Sequence, residues 1–193
     1  MWRSRREIIL TENVISHLAK RGNVLDVGCG DGYLSYLLSN RGFEVVGIDF
    51  SVFRVRYAHE HSAGADFIIA DGRYLPFHGE CFDSVVCCEV LEHVLNYRLV
   101  IGEMYRVTKK EGRLLVTVPN KMPDARNIHS FDRQQIYNDL RTEGYAIEKV
   151  YGFGFELEGI LARIPSPLRV LGHKIVYALS KRSSFLFFMG FKS

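Results

Sequence analysis

A short run of glycines carries the strongest chemical signal in the chain: Val24-Leu25-Asp26-Val27-Gly28-Cys29-Gly30-Asp31-Gly32. An apolar strand that ends in closely spaced glycines and opens a helix lets backbone N–H groups approach a ligand without side-chain interference. A lone G-x-G says little, and the dinucleotide fingerprint needs G-x-G-x-x-G. Here the third glycine comes one residue early, at Gly32, and an acid, Asp26, precedes the loop. Two histidines, His93 and His129, are the best general-base candidates. His93 follows the apolar run Phe82–Cys88, and His129 sits in Arg126-Asn127-Ile128-His129-Ser130-Phe131.

The elements that must position these residues alternate short β-branched runs with helix-period segments, the pattern of a parallel sheet covered by helices. Strands are expected at 24–27, 44–49, 67–70, 82–88, 113–118, 145–151 and 184–191. Leu34, Leu37 and Leu38 share one face of a helix ending near Arg41-Gly42, and further helices are expected over 52–61 and 96–107. Lys109-Lys110-Glu111-Gly112 reads as a polar turn. Asp132 with Gln135 starts another helix, and Gly144 stands where a C-cap glycine belongs. Ahead of the last strand, Leu157, Ile160, Leu161 and Ile164 and then Leu168, Leu171, Ile175 and Leu179 fall at helical spacing, separated by Pro165-Ser166-Pro167. Residues 155–184 are thus expected to form a helical insertion, far longer than the roughly 2–5 residues of a hairpin loop.

The glycine stretch resembles motif I of the class I S-adenosylmethionine (SAM) methyltransferases, written broadly as [DE]-x-G-x-G-x-G. The resemblance continues in order. Gly47-Ile48-Asp49 looks like the acid ending the family's second strand, and Ala70-Asp71-Gly72-Arg73-Tyr74-Leu75-Pro76-Phe77 like its A-D-x-x-x-L-P-F segment. Phe82-Asp83-Ser84-Val85-Val86-Cys87-Cys88-Glu89-Val90-Leu91-Glu92-His93-Val94 looks like its fourth strand and exit. Arg106-Val107-Thr108-Lys109-Lys110-Glu111-Gly112-Arg113-Leu114 resembles R-V-L-K-P-G-G-x-L, with Lys110-Glu111 replacing the usual Pro-Gly in a turn distant from the cofactor. Within the family, the chain is similar to the small-molecule enzymes of the ubiquinone/menaquinone-biosynthesis-like group.

The resemblance implies a single Rossmann-like, doubly wound α/β domain over 1–193. Its seven-stranded sheet would be mainly parallel, with an antiparallel last strand, a cofactor core at 24–150 and the 155–184 insertion over the acceptor site. It implies SAM as cofactor, held by Asp26, Gly28, Cys29, Gly30, Gly32, Asp49, Phe50, Asp71, Gly72, Cys88 and Glu89. Asp49 would take both ribose hydroxyls, Asp71 the adenine amino group, and Cys88 and Glu89 would line the place where the methyl emerges. A turn-forming Asp71-Gly72 and small buried cysteines are the plainer readings of those positions. In-line methyl transfer gains most from holding the acceptor, so the cofactor motif does not name a base. His93 and His129 are either bases or loop-bonding residues. Glu89, Glu92, His93 and His129 also resemble the ligand set of the small-RNA 2′-O-methyltransferases, which makes metal-assisted RNA methylation an alternative. A non-catalytic SAM-fold partner or regulatory protein is another.

Composition bounds these readings. With 193 residues, 47% hydrophobic and 24% charged, the chain suits one ordinary globular domain rather than a disordered, collagen-like or disulfide-stapled one. Its four cysteines show no metal or disulfide spacing, and its basic start precedes no apolar signal segment, so a cytoplasmic protein with reduced thiols and no metal is expected. The net charge of +3 hides an asymmetry. Residues 1–6 hold three arginines and residues 157–193 six basic residues against one acid, leaving 16 basic and 21 acidic residues, a net −5, over 7–156. Basic ends on an acidic body suggest contact with something anionic, and an acidic body argues against a broad nucleic-acid track. With Phe185, Phe187 and Phe188 beyond the amphipathic insertion, a small lipophilic or anionic-headed acceptor, met at a membrane surface through 157–193, is the expected partner. A soluble metabolite, with the helices merely packed on the sheet, is the alternative.

Overall fold

Two apolar runs seed the centre of the sheet. β1 (Asn23–Val27) and β4 (Phe82–Cys88) lie side by side, parallel, with almost every side chain buried, as strands covered on both faces must be. The structure, a computed structural model, describes Ile15, His17, Leu18 and residues 21–120, 126–153 and 185–193. The other elements, in chain order, are α1 (Tyr33–Ser39), β2 (Glu44–Asp49), α2 (Val52–His61), β3 (Asp66–Ile69), a 3-10 turn (Leu91–His93), α3 (Tyr97–Val107), β5 (Thr108–Pro119), α4 (Arg133–Glu143), β6 (Tyr145–Phe153) and β7 (Phe185–Lys192). The strand order is β3-β2-β1-β4-β5-β7-β6. Strands β1 to β5 pair in parallel, and β7 runs antiparallel to both β5 and β6. The expected doubly wound fold with its antiparallel last strand is the one observed.

Chain order reverses between β1 and β4, which creates a crevice beyond their C-terminal ends, where open α/β sheets bind ligands. The core forms two layers. Leu114, Val116 and Val118 of β5 point into the cluster under α3 and α4, while Leu115 points with Val24, Val86, Phe187 and Met189 into the other. Asp132 caps α4 through Gln135 N–H at 2.9 Å, and Gly144 ends that helix at φ 117°.

Three expectations need correction. Lys109–Gly112 does not precede β5 but bulges from within it: Thr108 already pairs with Phe82, and Arg113 with Ser84, so four residues oppose Asp83 alone. Glu111, at φ 59°, and the Lys109–Asp83 ion pair at 2.8 Å close this bulge. Second, Phe185, Phe187 and Phe188 are at most 1% exposed and form core, so they offer no lipophilic surface. Third, Lys192 belongs to no solvated basic end, because its ammonium is buried on the Thr108 carbonyl at 3.0 Å and lies 3.2 Å from Glu80. The expected insertion at 155–184 lies outside the described residues. Its anchors do not: Phe153 pairs with Phe185, which pairs with Pro119. The connection therefore leaves and returns at the sheet edge where β5 ends.

Candidate active site

The glycine loop is strapped to β2 by Gly28 and Cys29 N–H groups, each donating to the Ile48 carbonyl at 2.8 Å. Gly28, at φ 74°, has its Cα against Val90, whose γ-carbon occupies the space a Cβ would need. Gly32, at φ 79°, opens α1, and a Cβ there would fall 2.7–2.9 Å from Phe67 and Ala58. Both positions require glycine for backbone conformation and for space. Gly30 lies between them, exposing backbone at the strand's end. Cys29 is buried, and its thiol is pushed up by burial and by the nearby Asp26 and Asp49, so it stays protonated and packs as a small apolar group.

Two carboxylates frame this loop. Asp26 is 2% exposed, accepts from Ser35 Oγ at 2.7 Å, and has its pKa raised to about 6 by burial, opposed by the Ser35 hydrogen bond and reinforced by Asp49. A buried carboxylate with a raised pKa is short of a cationic partner, which an ammonium group would supply. Asp49, at the end of β2, accepts from Gly30 N–H at 3.1 Å and Ser51 N–H at 2.8 Å, one bond per oxygen. A carboxylate has about four lone-pair sites, so both oxygens keep capacity for ligand hydroxyls. Phe50 projects beside it with 81% of its surface exposed.

Asp71 is turned toward its own chain. It accepts from Arg73 N–H at 2.9 Å and from the Arg73 guanidinium at 2.6–3.1 Å, and Arg73 holds its carboxyl below the usual range. This is the turn anticipated for Asp-Gly, with Gly72 settled against Val27 and Val100. The following segment is fixed by Arg106 of α3, which donates to the Phe77 carbonyl at 2.7 Å and the Leu75 carbonyl at 3.0 Å, while Glu103 accepts from Leu75 N–H at 2.7 Å. Two of the sequence motifs therefore meet in one hydrogen-bond network.

The exit of β4 supplies the remaining candidates. Cys88 is half-buried, with its thiol pushed up by burial. Glu89 has φ 57°, donates its N–H to the Thr117 carbonyl at 3.0 Å, and accepts from Thr117 Oγ1 at 2.9 Å. Glu92 is buried beneath the turn, and its carbonyl accepts from Ile128 and His129 N–H groups. His93 Nδ1 lies 3.2 Å from the Arg126 carbonyl, so it carries the proton, and Nε2 is the basic atom, 3.8 Å from Glu92 Oε1. His129 Nε2 lies 3.0 Å from the Val94 and Leu95 carbonyls, so it is the donor and Nδ1 the basic atom. Both histidines stitch the 126–131 loop to the turn after β4. Glu89, Glu92, His93 and His129 are not gathered around one point: among the described residues no group of three or more His, Cys, Asp or Glu could hold a metal ion.

Ser35 and Thr117 were not among the sequence candidates, because each is defined by a partner brought near only by folding. A cleft of about 550 Å³ lies elsewhere, lined by strand beginnings such as Asn23, Glu44, Asp66 and Phe82. It is at the opposite edge from the glycine loop and contains none of the candidate residues.

The family described as Methyltransferase domain matches residues 18–154. The mitochondrial ubiquinone biosynthesis O-methyltransferase of Rattus norvegicus is 38% identical over 106 residues, which are 51% of this chain and 31% of that protein. The ubiquinone biosynthesis O-methyltransferase of Pseudomonas entomophila is 38% identical over 110 residues, 53% of this chain and 46% of the relative. The chain thus spans less than half the length of either. Among solved structures, Haemonchus contortus phosphoethanolamine N-methyltransferase 2, in complex with S-adenosyl-L-methionine, superposes with a TM-score of 0.73 at 18% identity, covering 98% of this chain and 53% of that one.

Proposed function

The chain belongs to the class I SAM-dependent methyltransferases, and from that premise we propose that it transfers the methyl group of SAM to a small, lipophilic acceptor. The observation that carries this reading is the pair of carboxylates on the glycine loop, Asp26 buried below it and Asp49 bonded to its Gly30 amide, at the β1/β4 crevice. The residues present fit the cofactor: buried Asp26 lacks the cation that an amino-acid ammonium provides, and Asp49 keeps lone pairs for hydroxyls at the same loop.

SAM supplies an electrophilic methyl on a charged sulfur whose leaving group is a neutral thioether. Asp26 would hold the ammonium of the amino-acid end. Asp49 takes the ribose hydroxyls, Phe50 offers its exposed ring to the adenine, and Asp71, preset by Arg73, takes the adenine amino group. Gly32 and Gly72 keep the backbone close at either side. His93 through Nε2, or His129 through Nδ1, accepts the proton that leaves the acceptor. The acceptor side is assigned to 119–130 and 155–184 because β5 ends, and the β6–β7 connection begins and returns, at one edge of the sheet. Support for its lipophilic class comes from the relatives named for ubiquinone biosynthesis.

The test is label transfer. The purified protein is incubated with methyl-labelled SAM and a host-cell extract, and label is partitioned into organic-solvent, RNA and protein fractions, with and without EDTA. EDTA-indifferent label in the organic fraction is expected. Label in RNA that EDTA abolishes overturns the small-acceptor reading. No label anywhere, with no SAM binding, leaves a non-catalytic partner protein.

A further inference from the structure

One residue at the crevice sits in a conformation its type disfavours. Glu89 has φ 57°, in the left-handed region that L side chains other than Asn and Asp seldom occupy. The other described non-glycine residues with positive φ, Glu80 and Glu111, lie before β4 and in the β5 bulge, away from the glycine loop. Glu89 directly follows β4 on the ligand side of the sheet. Strain of this kind persists only where the surroundings over-determine it, and it clusters at functional sites.

Among the described residues, Thr117 makes two hydrogen bonds to Glu89. Thr117 of β5, fully buried, accepts the Glu89 N–H on its carbonyl at 3.0 Å and donates its hydroxyl to Glu89 Oε1 at 2.9 Å. The first bond fixes the backbone and the second the carboxylate. The chain then turns so that Val90 packs on Gly28, placing Glu89 beside the loop that receives the cofactor. A valine of equal shape would fill the position in β5, so packing alone does not account for the hydroxyl.

We propose that Thr117 is a positioning residue, which holds the Glu89 carboxylate at the mouth of the β1/β4 crevice, beside the transferable methyl, to accept a hydrogen bond from the nucleophile. The inference rests on the methyltransferase reading above and narrows its acceptor class. An ionised carboxylate accepts but does not donate, so the acceptor atom carries a hydrogen, as a hydroxyl or an amine does.

The experiment needs no acceptor. The full chain is titrated with [methyl-13C]SAM, and the bound methyl resonance is followed for the wild type, T117V, T117S, E89Q and E89N, with Tm measured alongside. T117V, E89Q and E89N are expected to move the bound resonance, while T117S leaves it near the wild-type position. SAM affinity should stay within about threefold for T117V, well under the 1.4 kcal/mol that a tenfold change represents. E89N should melt no lower than the wild type, because asparagine tolerates the left-handed region. With the extract fraction that accepts label from the wild type, T117V and E89Q should transfer it at least tenfold more slowly, and T117S should recover most of the rate. A bound resonance that T117V leaves in place, or a T117S rate no better than that of T117V, overturns the inference alone. No bound resonance in the wild type overturns the methyltransferase reading and this inference together.

Discussion

At the scale of single residues, burial of Asp26 costs stability, and under the proposed function that cost serves cofactor binding. The Asp26 pKa rises from 3.8 to about 6 on folding, chiefly through burial. Below about pH 4 the group is protonated in both folded and unfolded chains and contributes no pH dependence. Between pH 4 and 6 the unfolded chain ionises while the folded one still holds its proton, so stability falls as pH rises, and above pH 6 the penalty is constant. At about 1.4 kcal/mol per unit, its upper limit is about 3 kcal/mol. Asp26→Asn keeps an acceptor for Ser35 Oγ and removes the charge. We expect it to stabilise the SAM-free chain at pH 8 by up to about 3 kcal/mol, with the gain vanishing near pH 4, and to weaken SAM binding more than tenfold. Denaturant titrations at the two pH values and calorimetry with SAM check this. A variant destabilised at pH 8 would show that Asp26 already has a cationic partner in the folded chain.

At the scale of elements, strand and helix positions were largely legible because periodicity and breakers are local signals. β2 and α2 fall on the expected residues, as does β4, whose continuous apolar run marks a strand buried on both faces. The glycine loop was equally legible, since Gly28 and Gly32 answer to local backbone geometry and close neighbours. Non-local facts were not legible. Thr117 meets Glu89 from 28 residues away and Arg106 meets Phe77 from 29. The run Phe185–Phe188 reads the same whether it faces lipid or a second core layer. The Lys109–Gly112 bulge has the composition of a turn, and only pairing of Thr108 with Phe82 shows that the strand has already begun. Arg106 yields the prediction for this scale. It ties α3 to the loop carrying Asp71 through two carbonyls and Glu103. Arg106→Ala should lower stability by about 1–3 kcal/mol, as loss of hydrogen bonds to a charged group does, and loosen the adenine side of the site. A fall in SAM affinity with kcat for label transfer retained is the expected pattern. Unchanged affinity in a destabilised variant would confine Arg106 to the scaffold.

At the scale of the whole molecule, the proposed function divides the chain into a cofactor half and an acceptor half, and the sheet order makes that division testable. Every residue assigned to SAM lies at 26–89, on β1, β2, β4 and the loops that follow β1, β2, β3 and β4, while residues 154–184 join β6 to β7 at the far side of β5. Phe153 already pairs with Phe185, so a hairpin turn of about 2–5 residues can connect these strands without disturbing their register. A chain in which such a turn replaces 154–184 should therefore keep the seven-stranded sheet and bind SAM. Saturation with SAM at about 100 times Kd should stabilise it by about 2.7 kcal/mol, as it does the full chain. What it should lose is transfer of label to the organic fraction, together with most of the basic charge that distinguishes the C-terminal part from the acidic body. Two assays read the halves apart: thermal shift on adding SAM, and label partition with the extract. Loss of the SAM-induced shift would mean that 154–184 helps to close the cofactor site itself. Retention of full transfer would place the acceptor under residues 119–130 alone. Loss of transfer with the shift intact gives the segment one job, which is choosing what receives the methyl group.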